Sequence, residues 1–242
     1  MTGLGNSEDS STAYCLLPPY HERNHFMNQC EYYCRVIKRL CNYGGILPPE
    51  YQQVEWIQGV SGQYIDTGIV PNYYTGIEAS GIFSGKGDEY FTEIGCRYSL
   101  NGTGYTVQGT GEGQLRLAYG TSNLNWLGIA QCVKFSFIPG ADIKFRYELS
   151  DGTTGSKNIN SASFNPQLNH NFYIMALNNN GTASSGGKCL IKYFKMYSST
   201  TLTRDYIPCY RKSDNKTGMY DLVTSAFYPN LGAGEFTVGN NV

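Results

Sequence analysis

The stretch VKFSFIPGADIKFRYELS, residues 133–150, constrains the fold more tightly than any other part of the chain. Val133, Phe135 and Phe137 alternate with Lys134 and Ser136. After the turn Pro139-Gly140-Ala141-Asp142, Ile143, Phe145, Tyr147 and Leu149 alternate with Lys144, Arg146 and Glu148. Successive side chains of a strand point to opposite faces, so this is a hairpin with one buried and one wet face. GQLRLAYG (113–120) repeats the alternation, whereas KCLIKYFKMYS (188–198) carries apolar residues on both faces and predicts a central strand covered on both sides. Turn-forming clusters such as SGKGDE, NGTG, SDGTTGS and SDNKTG punctuate everything after Tyr51. About a dozen short strands so spaced point to an all-β sandwich of two antiparallel sheets. Abundant Tyr (21) and Gly (29) fit that reading, aromatics filling pleated faces and glycines the turns.

Charge narrows the partners. Only 15% of residues are charged and the net charge is −1, so neither nucleic acid nor an anionic membrane is an expected partner. The first residues lack the basic and apolar regions of a secretory signal, so the chain is expected to be made and assembled in a cytosol. The eight cysteines (15, 30, 34, 41, 96, 132, 189 and 209) form no compact spacing, and are read as free, buried thiols acting as small hydrophobes.

GGILPPE, residues 44–50, divides the chain: paired glycines end a helix and paired prolines cannot continue one. Residues 1–46 read as an extended arm followed by one helix over about 24–43, and residues 47–242 as the β domain. In the helix, Phe26, Cys30, Tyr33, Ile37 and Leu40 fall at heptad spacing, a seam that needs a surface to pack on. An anchoring or oligomerising helix and a helix packed on its own domain both meet that need. Cys30, Cys34 and Cys41 share a helical face, but structural zinc sites usually pair ligands across a tight turn, and no metal is expected there.

LPPEYQQVEWIQGVSGQYIDTGIVPN (47–72) and KCLIKYFKMYSSTTLTRDYIPCYRKSDNKTGMYDLVTSAFYPNLGAGEFTVG (188–239) resemble the two ends of the LamG-like, concanavalin A-like jelly-roll modules found in phage virion proteins and in surface proteins of gut bacteria. The resemblance implies a two-sheet jelly roll of six or seven strands per sheet, with first and last strands side by side. It also implies a concave face whose rim commonly binds carbohydrate, with calcium in some members. GKGDE and SDN would be the oxygen sources for calcium, though each also suits a turn.

Glycosidases of this fold carry Glu-x-Asp-x-Glu or Glu-x-Asp-x-x-Glu on one strand, which places the acids on one face of the cleft. Asp88, Glu89 and Glu93 have the wrong spacing, and Glu148 and Asp151 are separated by a turn. Cys209 would need His170 as a base, and no pattern brings them together. No catalytic residue and no enzymatic activity are expected. Glycan contact is assigned to an aromatic ring flanked by amides: Trp126 with Asn123 and Asn125, Tyr73 with Tyr74, and Asn179.

The expected function is a virion structural protein of a tailed phage. It would be a capsid-surface decoration or head-fibre protein, anchored to a major capsid or tail protein by residues 1–46, and a homo-oligomer with a trimer as the candidate state. Its sandwich would be displayed toward host or mucosal glycans. A tail-fibre or tail-tip adhesin, an adhesin module of a bacterial surface protein and, less fittingly, a glycoside hydrolase are the alternatives. RDYIPCYRKSDNKTGMYDL (204–222) reads as a closing hairpin, with Arg204, Arg211 and Asp221 expected to exchange charges and Gly218 to relieve the turn.

Overall fold

The computed structural model describes residues 32–34, 36, 37, 45–84, 92–97, 103–110, 112–121, 124–159, 168–184 and 187–242, with 103, 121 and 124–126 described by backbone course alone. Nineteen strands lie among the described residues. They begin with β1 (Tyr51–Gln53), β2 (Ile57–Gly59), β3 (Ile65–Asp66), β4 (Thr75–Ile82), β5 (Glu93–Arg97), β6 (Thr103–Gly109), β7 (Gln114–Thr121), β8 (Leu124–Ala130), β9 (Cys132–Phe137) and β10 (Lys144–Leu149). They continue with β11 (Thr154–Asn158), β12 (Tyr173–Ile174), β13 (Leu177–Asn179), β14 (Thr182–Ser184), β15 (Cys189–Ser198), β16 (Thr201–Arg211), β17 (Lys216–Asp221), β18 (Ala226–Pro229) and β19 (Thr237–Val238).

The chain is an all-β sandwich of two sheets with one short helix. The larger sheet runs β11-β10-β9-β4-β15-β16-β17-β18, with β1 beside β16 and β2 beside β15 and β19. The smaller runs β14-β13-β5-β6-β7-β8, with β12 and β3 alongside. Every pairing is antiparallel except β13 with β5. Among the described residues the sheets hold eleven and eight strands rather than six or seven: the continuous paths have eight and six, and two- and three-residue strands (β1, β2, β19; β3, β12) lie beside them.

The core forms where the alternation predicts except at Val133: a register shift at Glu148/Leu149 sets Cys132 opposite Leu149, so Cys132 is buried and Val133 lines the outer face instead. Phe135 and Phe137 of β9 and Phe145 of β10 are fully buried, as are Tyr105 and Tyr119 from β6 and β7 of the opposing sheet. Their rings meet edge to face, Tyr119 with Phe137 at 4.8 Å and Tyr105 with Phe137 at 6.1 Å, while Phe135 stacks on Phe145 at 5.4 Å. Each such burial stabilises by about 1.5–3 kcal/mol before entropy is counted. β15 sits centrally between β4 and β16 as its two apolar faces predict. Cys189, Ile191, Phe194 and Met196 are buried, and Tyr193, Lys195 and Tyr197 lie half-buried between them.

The two recognisable ends of the sequence come together. β1 pairs with β16 (Tyr51 opposite Arg211), β2 with both β15 and β19, and Val54 bridges Asn241. Pro208 explains part of this course. It sits where the neighbour of β16 on one side changes from β15, whose pairing ends at Tyr206, to β1, whose pairing begins at Cys209. A residue without an N–H fits at such a handover.

Residues 32–34, 36 and 37 are helical. The arm, and the rest of the helix expected over 24–43 with Phe26, Cys30 and Leu40, lie outside the described residues. Among the described residues no helix is long and apolar enough to cross a membrane.

Candidate binding faces

The helical turns rest on the outer face of the larger sheet. Tyr32 packs beside a small apolar cluster of Leu47, Cys209, Tyr220 and Leu222, and its hydroxyl donates to Oδ2 of Asp205. Asp205 is only 2% exposed, and Lys195 Nζ lies 3.7 Å from the same oxygen. Burial raises the Asp205 carboxyl above the ordinary carboxylate range, although the Tyr32 hydroxyl and the Lys195 ammonium oppose the rise. Tyr33 and Ile37 of the predicted seam point elsewhere, at 58% and 57% exposed. The side that docks on the domain is thus the one bearing Tyr32 and Val36, both half-buried, and not the seam.

The closing hairpin is architecture. Asp221, with no exposed surface, gathers the turn after β17: Oδ1 accepts from the Asp205 and Val223 amides, and Oδ2 from the Thr224 amide and hydroxyl. Arg204 Nε lies 3.5 Å from Asp221 as expected. Arg211 instead pairs with Asp214 at 2.6 Å across the exposed turn, because the turn brings that carboxylate three residues away from it. Nor does Gly218 relieve the turn. Asn215 takes the positive φ (56°), and Gly218 is required by close packing, since a Cβ there would lie 2.3 Å from the Tyr228 carbonyl oxygen.

On the outer face of the smaller sheet, Glu93, Gln108, Arg116 and Trp126 fall in one cross-strand row over β5, β6, β7 and β8. Gln108 and Ser184 donate to the Glu93 carboxylate at 3.3 and 3.2 Å, and burial raises that carboxyl. Asn179 stands opposite Arg97 on β13 and accepts from its Nε at 3.4 Å. Four strand spacings separate β13 from β8, about 19 Å at ~4.8 Å each, so Asn179 and the Trp126–Asn125 pair do not share a monosaccharide-sized site. Asn123 lies outside the described residues. Tyr73 and Tyr74 are apart again, in the loop before β4, half-exposed and edge to face at 5.1 Å, with the Tyr73 carbonyl accepting from the Tyr119 hydroxyl.

The outer face of the larger sheet holds features that sequence reading did not select. A cross-strand row, Ser156–Arg146–Ser136–Glu78–Lys195–Asp205, carries hydroxyls and charges of both signs over six strands. Beside it runs Thr154–Glu148–Lys134–Ser80–Tyr193. Two clefts open here: one of about 460 Å³ over β9, β10 and β11, and one of about 780 Å³ between β4, β15 and the β1–β2 connection. Glu148 lines both. Ile82, Val133 and Leu190 lie along the larger cleft with the Trp56 indole, and Glu55, Lys192 and Ser80 stand at its rim. Only register could have revealed this, because Trp56 and Glu148 are far apart in sequence and lone residues in their motifs.

Glu93 and Glu148 lie on different sheets, and Asp88 and Glu89 fall outside the description. Cys209 is fully buried in the cluster beneath Tyr32, with its thiol pushed up to about 12 by burial, while His170 Nε2 meets Asn180 Oδ1 beside the β13–β14 turn. Cys96, Cys132 and Cys189 are likewise buried with thiols pushed up to about 12, and Cys34 is exposed. Among the described residues no three His, Cys, Asp or Glu side chains gather as metal ligands would. Comparison with protein-family models, curated proteins and solved structures finds no match.

Proposed function

We propose that this chain is a non-enzymatic structural protein of a tailed-phage virion. In this reading it is a capsid-surface decoration or head-fibre protein, joined through its N-terminal region to a major capsid or tail protein. It is oligomeric and displays the sandwich toward host or mucosal glycans. The observation that carries the reading is the ridge of Tyr33 and Ile37. A helix serving only its own domain buries its apolar side, yet here the domain takes up Tyr32 and leaves the two neighbouring apolar residues in solvent. The heptad spacing that continues this ridge to Phe26, Cys30 and Leu40 supports attachment to another surface. The resemblance at residues 47–72 and 188–239 supports the virion setting, and β1 and β2 of the first segment pair with β16, β15 and β19 of the second in the larger sheet.

The test is incorporation. Particles assembled in the presence of a chain lacking residues 1–46 are expected to lack the protein. Recovery of the truncated chain on purified particles at the full-length copy number would contradict the anchor.

A further inference from the structure

We infer that the outer face of the larger sheet holds an oligosaccharide-binding groove built on Trp56. The inference rests on the reading of the domain as a glycan-contacting module, and moves the contact away from Trp126, Tyr73 and Asn179.

Three observations carry it. First, the two clefts meet at Glu148, and the row Thr154–Glu148–Lys134–Ser80 crosses four strands beneath them, about 14 Å at ~4.8 Å per strand. That length suits a chain of sugars rather than one, and each cleft falls within the ~300–1,000 Å³ of ordinary ligand sites.

Second, the indole is held in place. The Trp56 carbonyl accepts from the Gly239 amide at 2.9 Å, and a Cβ on Gly239 would lie 2.7 Å from the indole Nε1. The ring therefore lies against the bare backbone of Gly239, in a cleft that Ile82 and Leu190 also line. Such a surface receives the C–H face of a pyranose, while hydroxyls reach the polar rim.

Third, the polar groups of the groove have both signs. Glu148 and Glu55 are set against Lys134 and Lys192, and Arg146 is held by Asp142 at 2.7 and 2.5 Å. Mixed carboxylates, ammonium groups and hydroxyls recognise a neutral polyol; a polyanion or polycation would meet repulsion along part of the groove. In the smaller-sheet row, by contrast, the Glu93 carboxylate already accepts from Gln108 and Ser184. Gln108 is 5% exposed and donates to Glu93.

The chain has two tryptophans, one at each rival site, which makes the test direct. Full-length Trp126→Phe keeps Trp56 as its reporter, and full-length Trp56→Phe keeps Trp126. Each is titrated with maltohexaose, cellohexaose, laminarihexaose and xylohexaose, following tryptophan emission and heat. The expected result is a saturable emission change with at least one hexasaccharide in Trp126→Phe. Affinity should fall at least tenfold in Trp56→Phe, and also in Glu148→Gln, a nearly isosteric change at a half-buried position whose folding is checked by an unchanged melting temperature. Undiminished affinity in Trp56→Phe and Glu148→Gln, or an emission change confined to Trp126, overturns the groove while leaving glycan contact standing. No heat with any hexasaccharide in the unmodified chain overturns both the groove and the glycan clause of the proposed function.

Discussion

Asp205 is almost wholly buried, and burial raises its carboxyl even though Tyr32 and Lys195 hold the charged form. Among the described residues its second oxygen, Oδ1, accepts no hydrogen bond. A buried carboxylate so incompletely met disfavours its own ionisation. The sign follows from linkage. A folded-state value above the unfolded one means that the native chain binds the proton more tightly. The contribution to stability is therefore full below the ordinary carboxylate range and is lost as pH rises through the raised value. Asp205→Asn keeps an acceptor for Tyr32 and removes the titration. Urea unfolding at a series of pH values should show the variant gaining on the unmodified chain as pH rises through that window. A stability difference that stays constant with pH would contradict this account of Asp205.

At the scale of elements, the helix is where sequence and structure part most instructively. Heptad spacing singled out Tyr33 and Ile37 as residues that must pack on something, but it could not say which side the domain itself would take. That choice was made by Asp205, whose hydrogen bond with Tyr32 links positions 173 residues apart. Substituting Tyr33→Ser with Ile37→Ser should lower the mass of the assembly measured by light scattering while leaving the melting temperature within about 2 °C, since both side chains stand in solvent. An unchanged mass would mean that the ridge contacts no second copy. The strands were far more legible. The period of two in residues 133–149 placed Phe135, Phe137 and Phe145 in the core, and the double-sided apolar pattern of residues 188–198 placed β15 at the centre. Both signals are local, as is the turn that pairs Arg211 with Asp214. The clefts were not legible, because Trp56, Glu148 and Lys192 meet only through the order β10-β9-β4-β15, which no single stretch encodes.

For the molecule as a whole, the ends define the architecture. β1 and β2 enter the larger sheet beside β16, β15 and β19, so residues near the start of the β domain and the last residues of the chain close the same sheet. The helix docks on the outer face of that sheet near Asp205, while the Trp56 groove opens on the same face toward β4, β9 and β10. On the proposed reading, the attachment ridge and the recognition groove lie on one side of the sandwich. The most direct test is immunogold electron microscopy of intact, purified phage particles, with antibody raised against the β domain. The account predicts gold on the outer surface of the capsids. Unlabelled particles, with label confined to the bacterial cell surface, would contradict it.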